Sequence, residues 1–423
     1  MKAPLFSVVI PTYNRSDLVS HAIQSTLRQT FQDFEIVVCD NFSNDDTAQV
    51  VRQFTDSRLR YVRTPRHFVI ADNWEFARAQ ANGTLILMLA DDDALVMTAL
   101  ERFALEYRQH AAEFLFCGVA EYRDQSFPGS ERNLLDCRRF SRSTRLLTPH
   151  EFLAPLFSFR LRFNCHPSAF VFAKTLAHSI ASRCGRFFQT NGVEYCAWPL
   201  AAAVANNIVY IDAPLALCGR TKKSWGANLM LANPGKDTIE QFINDVDHER
   251  QCAPLRNFTM SNLQAEGILV AKQLLPEKFK AYEFDEQCYL RVTLEELRRR
   301  ESMGVDVSRE IEECLQYSSK YPSLIEYVTI KMEKRHGILQ RTRSAVGRLG
   351  ARRIRTILKA RRERIRASQE VATVKRGGVC GGFQVVGKDF GFGNILECAE
   401  FLTHLVSPAS IDKKALLLGA SGH

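Results

Sequence analysis

The chain has 423 residues, of which 46% are hydrophobic and 24% are charged. This is the composition of an ordinary globular protein with enough length for two or three structural units, and it excludes a chain that is disordered throughout. Twelve cysteines occur singly, without a C-x-x-C pair, so neither a zinc finger nor a disulfide framework is indicated.

The net charge of +9 is unevenly placed along the chain. Residues 331–376 contain sixteen Lys and Arg but three Glu, a local excess of +13. The start of the chain is too short for the apolar core of a secretory signal, and no stretch reaches the ~20 continuous apolar residues of a membrane span. We therefore expect a cytoplasmic protein whose membrane contact, through its basic part, would be peripheral on the inner face.

Short apolar runs alternate with helical segments over the first 120 residues. The predicted strands are 5–10, 35–39, 59–62, 84–89 and 114–119, and the predicted helices are 16–28, 45–54, 72–81 and 97–109. This order predicts an α/β domain whose mostly parallel sheet is covered by helices on both faces. Strands at 168–172 and 208–211, with a helix at 194–205 between them, complete a first domain of residues 1–235.

The remaining segments are predicted from their composition and period. A polar, Arg-containing stretch at 126–143 predicts a surface loop. Beyond the first domain the sequence predicts a helical region over 236–330, a basic amphipathic helical segment over 331–376 and a C-terminal tail over 377–423.

Polar residues follow three of the predicted strands, at the edge where parallel α/β sheets bind ligands. The first strand runs into Pro-Thr-Tyr-Asn-Arg at 11–15, the second into Asp40, and the fourth into the triple aspartate at 91–93. Adjacent carboxylates repel one another unless a divalent cation and its substrate neutralise them. Each acid could instead cap a following helix, so the hypothesis depends on the coincidence of the three signals at one edge.

Together with Asn73-Trp74, these motifs resemble the family 2 glycosyltransferases with the GT-A fold, over roughly residues 4–230. The resemblance assigns a bound Mn²⁺ or Mg²⁺ ion to Asp91 and Asp93, and a hydrogen bond from the donor's base, usually uracil, to Asp40. The residues that it assigns to the nucleotide-diphosphate sugar are Pro11, Thr12, Tyr13, Arg15, Asp40, Asn73, Asp91 and Asp92. One departure is Asn41, which stands where many relatives carry a second Asp.

An inverting transfer also needs a carboxylate that takes the proton from the acceptor hydroxyl. Glu194 opens a predicted helix where the family often has Asp, and we assign it as the catalytic base. A charge that favours the helix N-terminus is the alternative. Lys222 and Lys223, in the segment 219–226, either pair with donor phosphates or belong to a solvated basic loop. His166 is interpreted as a structural histidine.

The resemblance implies a single-addition enzyme in cell-surface polysaccharide or glycan synthesis, because the Q-x-x-R-W signature of processive synthases is absent. Its acceptor would be a saccharide or a lipid-linked saccharide. A sugar nucleotidyltransferase has a similar fold and metal, but it needs a Gly-rich loop after the first strand, where this chain has Pro-Thr-Tyr-Asn-Arg.

A function of a different class also stays open, that of a peripheral membrane-binding module with a subsidiary α/β domain. On a helical wheel, residues 336–366 place Ile and Leu on one side and Arg on the other. This pattern is typical of a helix on an anionic membrane surface, and equally of a helix packed on its own domain. Nucleic acid is not an expected partner, because no aromatic residues interleave the arginines.

Overall fold

The computed structural model describes residues 3–127, 131–160, 166–224, 252–322, 324 and 382–407. The predicted basic segment at 331–376 lies outside these residues, as does the stretch 225–251. In the part of the chain that is described, no helix is both long and apolar enough to cross a bilayer.

The described residues form one sheet of eleven strands. They are β1 (Phe6–Thr12), β2 (Phe34–Asp40), β3 (Leu59–Arg63), β4 (Leu85–Met88), β5 (Ala94–Leu95), β6 (Phe114–Arg123), β7 (Leu134–Cys137), β8 (Thr144–Leu147), β9 (Phe170–Ala173), β10 (Ile208–Arg220) and β11 (Phe383–Val386). The strand order is β11-β7-β6-β9-β4-β1-β2-β3, and β10 pairs with β5, β6 and β8.

The centre of the sheet is parallel. Strand β1 lies between β2 and β4 and runs parallel to both, and β2 runs parallel to β3. Every residue of β1, β2 and β4 is buried, as expected of strands covered on both faces. Strand β9 lies antiparallel between β4 and β6, and β10 returns parallel to β6. The predicted α/β fold is confirmed.

The helices follow the predicted order. They are α1 (Ser16–Leu27), α2 (Thr47–Arg52), α3 (Ile70–Ala79), α4 (Ala99–His110), α5 (Pro149–Phe157), α6 (Lys174–Cys184), α7 (Val193–Val204), α8 (Met260–Leu274), α9 (Pro276–Phe279), α10 (Glu286–Ser302), α11 (Ser308–Tyr317), α12 (Gly387–Phe390) and α13 (Ile395–Val406). Helices α8, α10 and α11 lie within the helical region predicted over 236–330. The α8 helix begins where the Thr259 hydroxyl accepts a hydrogen bond from Asn262 N at 3.1 Å.

The stretch at 126–143 is not wholly the surface loop that its polarity predicts. Strand β7 lies within it and pairs antiparallel with β6. Its residues Leu134, Leu135 and Cys137 are buried. Polarity concealed this strand, since its buried residues are flanked on both sides by charged ones.

Residues 382–407, within the predicted tail, return to the sheet. Strand β11 pairs with β7, and α13 packs against α1, β5 and β10. The Thr403 hydroxyl accepts a hydrogen bond from Met97 N at 2.9 Å, and Arg142 Nη2 donates to Leu405 O at 2.5 Å. The end of the described chain therefore belongs to the same structural unit as its beginning.

The helical region packs on α7, the helix that carries Glu194. Gln264 Nε2 in α8 donates to Leu156 O at 2.8 Å. At Gly267 the two helices approach so closely that an added Cβ would lie 2.4 Å from the carbonyl carbon of Tyr195. Only glycine allows this contact. The α8 helix thereby fixes the position of α7.

Candidate functional site

An acidic cluster, Asp91, Asp92 and Asp93, follows β4 at the carboxyl edge of the sheet. Asp91 and Asp93 are buried. Arg15, just beyond β1, places Nη1 2.6 Å from Asp91 Oδ1 and 3.6 Å from Asp92 Oδ2. Because β1 and β4 are parallel neighbours, their ends meet at one edge, and the structure brings these predicted site residues together.

The segment that follows β10 covers the acidic cluster. Arg15 Nη2 donates to Lys223 O at 2.7 Å, and the Ser224 hydroxyl donates to Asp92 Oδ2 at 2.6 Å. The ammonium of Lys223 pairs with Asp17 at 2.6 Å. Lys223 is therefore held beside the site by a salt bridge of its own, and its predicted pairing with donor phosphates stays a prediction.

Gly219 brings the end of β10 against the acidic cluster. Its backbone N–H donates to Asp93 Oδ1 at 2.9 Å. An added Cβ at this position would lie 1.8 Å from the carbonyl oxygen of Asp92, closer than any two such atoms can approach. The site therefore requires glycine at position 219.

Asp93 also contacts side chains from the β9 side of the sheet. The Ser168 hydroxyl donates to Asp93 Oδ2. His166 Nδ1 lies 3.3 Å from the same oxygen, and His166 Nε2 lies 3.0 Å from Cys218 Sγ. Nδ1 of His166 is buried and has no hydrogen-bond partner among the described residues, so its approach to Asp93 is a contact without a hydrogen bond. His166 thus belongs to the site and is not only the structural histidine that the sequence suggests.

Burial is the main cause of the shifted pKa values of Asp91, Asp93 and His166. It raises the pKa of Asp93 well above its usual value, and the charge of Asp92 raises it further. Burial likewise raises the pKa of Asp91, although the guanidinium of Arg15 opposes the change. The pKa of His166 is lowered to about 4 by burial, so its imidazole is neutral near pH 7.

The donor set of the acidic cluster fits a divalent cation. Its three carboxylates supply the oxygen ligands that Mn²⁺ and Mg²⁺ prefer, and His166 Nδ1 adds a buried nitrogen without a hydrogen bond. Burial and mutual repulsion raise the pKa of Asp91 and Asp93, and a bound cation would offset both effects. Asp91 and Asp93 are the residues that would hold such an ion.

The carboxylate of Asp40, a predicted contact of the nucleotide, is fully buried at the end of β2. Its Oδ1 accepts from Ser43 N at 2.9 Å and its Oδ2 accepts from the Tyr61 hydroxyl at 2.5 Å. The ring of Tyr13 packs on that of His67 with centroids 4.5 Å apart. These contacts give Asp40 a structural role, and its contact with a base stays a prediction.

Asn41 has a geometric reason to be an amide. Its Nδ2 donates to Phe68 O at 2.8 Å, and its Oδ1 accepts from Phe68 N at 2.9 Å. A carboxylate could not make the first of these bonds. Nearby, Pro11 and Thr12 end β1 as buried residues, and Asn73 in α3 is buried with no hydrogen-bond partner for Oδ1 among the described residues.

Glu194 lies in the first turn of α7, partly exposed. Burial of its carboxyl raises its pKa to about 7. Asn191 Oδ1 accepts from Ala71 N at 3.2 Å, which brings the start of α7 to the start of α3. Among the described residues, Glu194 forms no hydrogen bond or ion pair with the acidic cluster, and its role as the catalytic base stays a prediction.

Four residues of the site were not among the predicted ones: Ser168, Cys218, Gly219 and Ser224. Gly219 and Ser224 lie in the 219–226 segment that the sequence did single out. Ser168 and Cys218 carry no signal in the sequence, because β9 and β10 bring them to Asp93 from distant parts of the chain.

The sequence profile of Glycosyl transferase family 2 matches residues 7–178, which include β1 to β4, Arg15 and the acidic cluster. Residues 7–178 are therefore similar in sequence to the family 2 glycosyltransferases. The match also covers the predicted nucleotide contacts at 11–15 and Asp40, whereas Glu194 and the 219–226 segment lie beyond it.

Curated glycosyltransferases are also similar in sequence to this chain. The chain is 39% identical over 100 residues to the GalNAc(5)-diNAcBac-PP-undecaprenol beta-1,3-glucosyltransferase of Campylobacter jejuni, covering 23% of this chain and 32% of that protein. It is 34% identical over 97 residues to the UDP-Glc:alpha-D-GlcNAc-diphosphoundecaprenol beta-1,3-glucosyltransferase WfgD of Escherichia coli, covering 23% and 38%. The chain thus spans about a third of the length of these relatives.

Among solved structures, the chain is similar to Staphylococcus aureus TarS 1-349 in complex with UDP-GlcNAc, with 15% identity and a TM-score of 0.44. That similarity covers 78% of this chain and 92% of TarS 1-349.

Proposed function

We propose that this chain is a hexosyltransferase that moves a sugar from a nucleotide-diphosphate donor to a lipid-linked saccharide. The observation that carries the proposal is the ion pair of Arg15 with the acidic cluster, which residues 221–224 cover. Arg15 and the acidic cluster lie within the residues that match family 2. Buried carboxylates beside a guanidinium suit a ligand that brings both a cation and phosphate groups.

The donor is proposed to be a UDP-sugar and the acceptor an undecaprenol-linked one. Two relatives in Escherichia coli are named for transfer from UDP-Glc to a diphosphoundecaprenol-linked GlcNAc. Transfer of this kind would place the chain in cell-surface polysaccharide or glycan synthesis, with one sugar added at each encounter.

Metal assistance is part of the proposal. When bound, Mn²⁺ or Mg²⁺ would stabilise the negative charge of the departing nucleoside diphosphate. Asp91 and Asp93 would hold the ion, and Asp92 would stay oriented by Ser224. Arg15, released from Asp91 by the ion, would pair with a phosphate oxygen.

Glu194 is proposed as the general base. A carboxyl with a pKa of about 7 is half ionised near neutral pH, which suits a group that takes a proton from an acceptor hydroxyl. Direct attack by that hydroxyl in a single displacement would invert the anomeric configuration.

A donor panel tests the enzyme proposal. Thermal shifts with UDP-, GDP- and TDP-sugars, with and without Mn²⁺, should show stabilisation by UDP-sugars that depends on the ion. Asp93→Asn should abolish this dependence, whereas Asp56→Asn, which breaks an ion pair with Arg58 before β3, should leave it unchanged. Ion-independent stabilisation, or an unaltered response in Asp93→Asn, would show that the metal proposal is wrong. Release of pyrophosphate would instead indicate a nucleotidyltransferase.

Peripheral binding to the membrane is proposed for the basic segment at 336–366. Truncation is a poor test, because residues 382–407 pack on the sheet. We therefore suggest replacing Arg352, Arg355, Arg362 and Arg366 with Gln in the full chain. Cosedimentation with anionic vesicles should fall in the variant and, for the original chain, with rising salt. Binding that is equal in both chains would contradict this proposal.

A further inference from the structure

We propose that Asp93, His166 and Cys218 form a binding site for a thiophilic divalent cation of the Zn²⁺ class. One ligand atom from each residue lies within 4.8 Å of the others. The site shares Asp93 with the proposed Mn²⁺ or Mg²⁺ site but takes its other two ligands from the β9 and β10 side. We call these three residues the sulfur site.

The three groups of the sulfur site lie within reach of one metal ion, and the two short separations among them involve opposite nitrogens of His166. His166 Nδ1 lies 3.3 Å from Asp93 Oδ2, and Cys218 Sγ lies 3.0 Å from His166 Nε2. Around a tetrahedral Zn²⁺, bond lengths of about 2.0 to 2.3 Å imply ligand separations of roughly 3.3 to 3.8 Å. A rotation of the imidazole, which now faces Asp93 and Cys218 with opposite nitrogens, would let one nitrogen converge with the oxygen and the sulfur.

The chemistry of the three ligands selects the ion. One carboxylate, one imidazole and one thiolate are a ligand set used by Zn²⁺, with a fourth position left for water or substrate. Thiolate sulfur disfavours Mg²⁺ and Mn²⁺, which prefer oxygen. The sulfur site therefore differs in ion preference from the acidic cluster, although the two adjoin.

Two further observations indicate a ligand. Nδ1 of His166 is buried without a hydrogen bond, although it lies against a carboxylate. The carboxylate of Asp93 accepts hydrogen bonds from the Ser168 hydroxyl and from Gly219 N–H. Hydrogen bonds of this kind orient groups that ligate metals. A histidine that merely filled the core would be expected to satisfy both ring nitrogens.

Binding would have a defined proton balance and a defined consequence. The Cys218 thiol loses its proton to solvent as the sulfur–metal bond forms, so binding of the ion releases protons. Because Asp93 cannot serve two ions at once, Zn²⁺ would compete with the ion that assists the donor. This consequence rests on the proposed function, whereas binding at the sulfur site does not.

Cobalt provides the direct test, since Co²⁺ occupies Zn²⁺ sites and a cobalt–thiolate bond gives a near-ultraviolet charge-transfer band. We expect the full chain to develop this band with Co²⁺ and to lose it when Zn²⁺ is added. Cys218→Ser and His166→Asn should each lack the band and bind Zn²⁺ at least about tenfold more weakly. Cys184→Ser, which alters a half-buried cysteine in α6, is the matched control and should behave as the original chain.

The outcomes separate the two proposals. No charge-transfer band in the original chain, or a band that persists in Cys218→Ser, overturns the sulfur site. If Cys218→Ser does not fold, Cys218→Ala and His166→Asn supply the same comparison, with circular dichroism of the apo chains as the check. A cobalt–thiolate band in a chain that shows no response to any sugar nucleotide would leave the sulfur site standing and the transferase proposal refuted.

Discussion

Replacement of Glu194 by Gln tests the proposed base and the environment that tunes it. The amide keeps the size of the side chain but cannot accept a proton from the acceptor hydroxyl. Loss of a general base typically lowers the rate by about 10²- to 10⁴-fold. Donor and metal affinity should be retained, because Glu194 is not linked to the acidic cluster among the described residues.

The pH profile gives the sharper magnitude. With a pKa of about 7, the ionised fraction of Glu194 rises from about 0.1 at pH 6 to about 0.9 at pH 8, so kcat/KM should rise about tenfold over that range. A glutamate with its ordinary pKa is almost fully ionised at both values and would give a nearly flat profile. The rise of kcat/KM between pH 6 and pH 8 thus distinguishes a Glu194 carboxyl with a raised pKa from one with the ordinary pKa.

Transfer of labelled sugar at acceptor concentrations well below KM, measured across this pH range, is the assay. Glu101→Gln is the matched control, because Glu101 occupies the first turn of α4 as Glu194 does that of α7. Glu194→Asp should retain measurable activity. Normal transfer by Glu194→Gln, a flat profile in the original chain, or a product with the donor's anomeric configuration would each refute the reasoning.

Other changes test the architecture of the site. Gly219→Ala sets a Cβ against Asp92 O, so we expect the donor-induced thermal shift to vanish while circular dichroism stays unchanged. Gly267→Ala should destabilise the α7–α8 contact by about 1–3 kcal/mol in urea unfolding. Asn41→Asp loses its bond to a backbone carbonyl and should cost about 1–3 kcal/mol in the same measurement. The pKa of Glu194 is higher in the folded chain than in the unfolded one, so the protonated carboxyl stabilises the fold. This stabilisation is complete below about pH 4.5 and is lost as pH rises through about 7. Glu194→Gln should therefore melt at a higher temperature than the original chain at pH 8 but not at pH 5.

The central sheet and one edge of the site could be predicted because they depend on local pattern. Runs of buried apolar residues with helical stretches between them indicate parallel strands, and the ends of such strands meet. This rule alone brings Arg15 to Asp91, 76 positions away. For Asn41 the sequence shows only a departure from the family pattern. Nothing in the local sequence shows that its side-chain amide bonds the backbone of Phe68.

The other half of the site depends on antiparallel insertion, which sequence pattern does not reveal. Strand β9 enters between β4 and β6, and β10 then passes beside β6, so that His166 and Cys218 reach Asp93 from two separate directions. A lone histidine and a lone cysteine are most often core residues, and only their convergence in space indicates otherwise. The return of α13 to the sheet was hidden in the same way, because its contacts lie some 300 residues away in the chain.

Arg15 explains how the acidic edge remains folded before any donor binds. Three adjacent carboxylates, two of them buried, would repel one another if none were neutralised, and the guanidinium of Arg15 offsets that repulsion at Asp91 and Asp92. The same guanidinium donates to Lys223 O, so residues 221–224 rest over the site while Arg15 is engaged. In the proposed function, a donor that arrives with a divalent cation would supply positive charge by another route and would offer phosphate oxygens to Arg15. In the proposed function, this exchange would couple donor binding to the position of the covering segment through a single side chain.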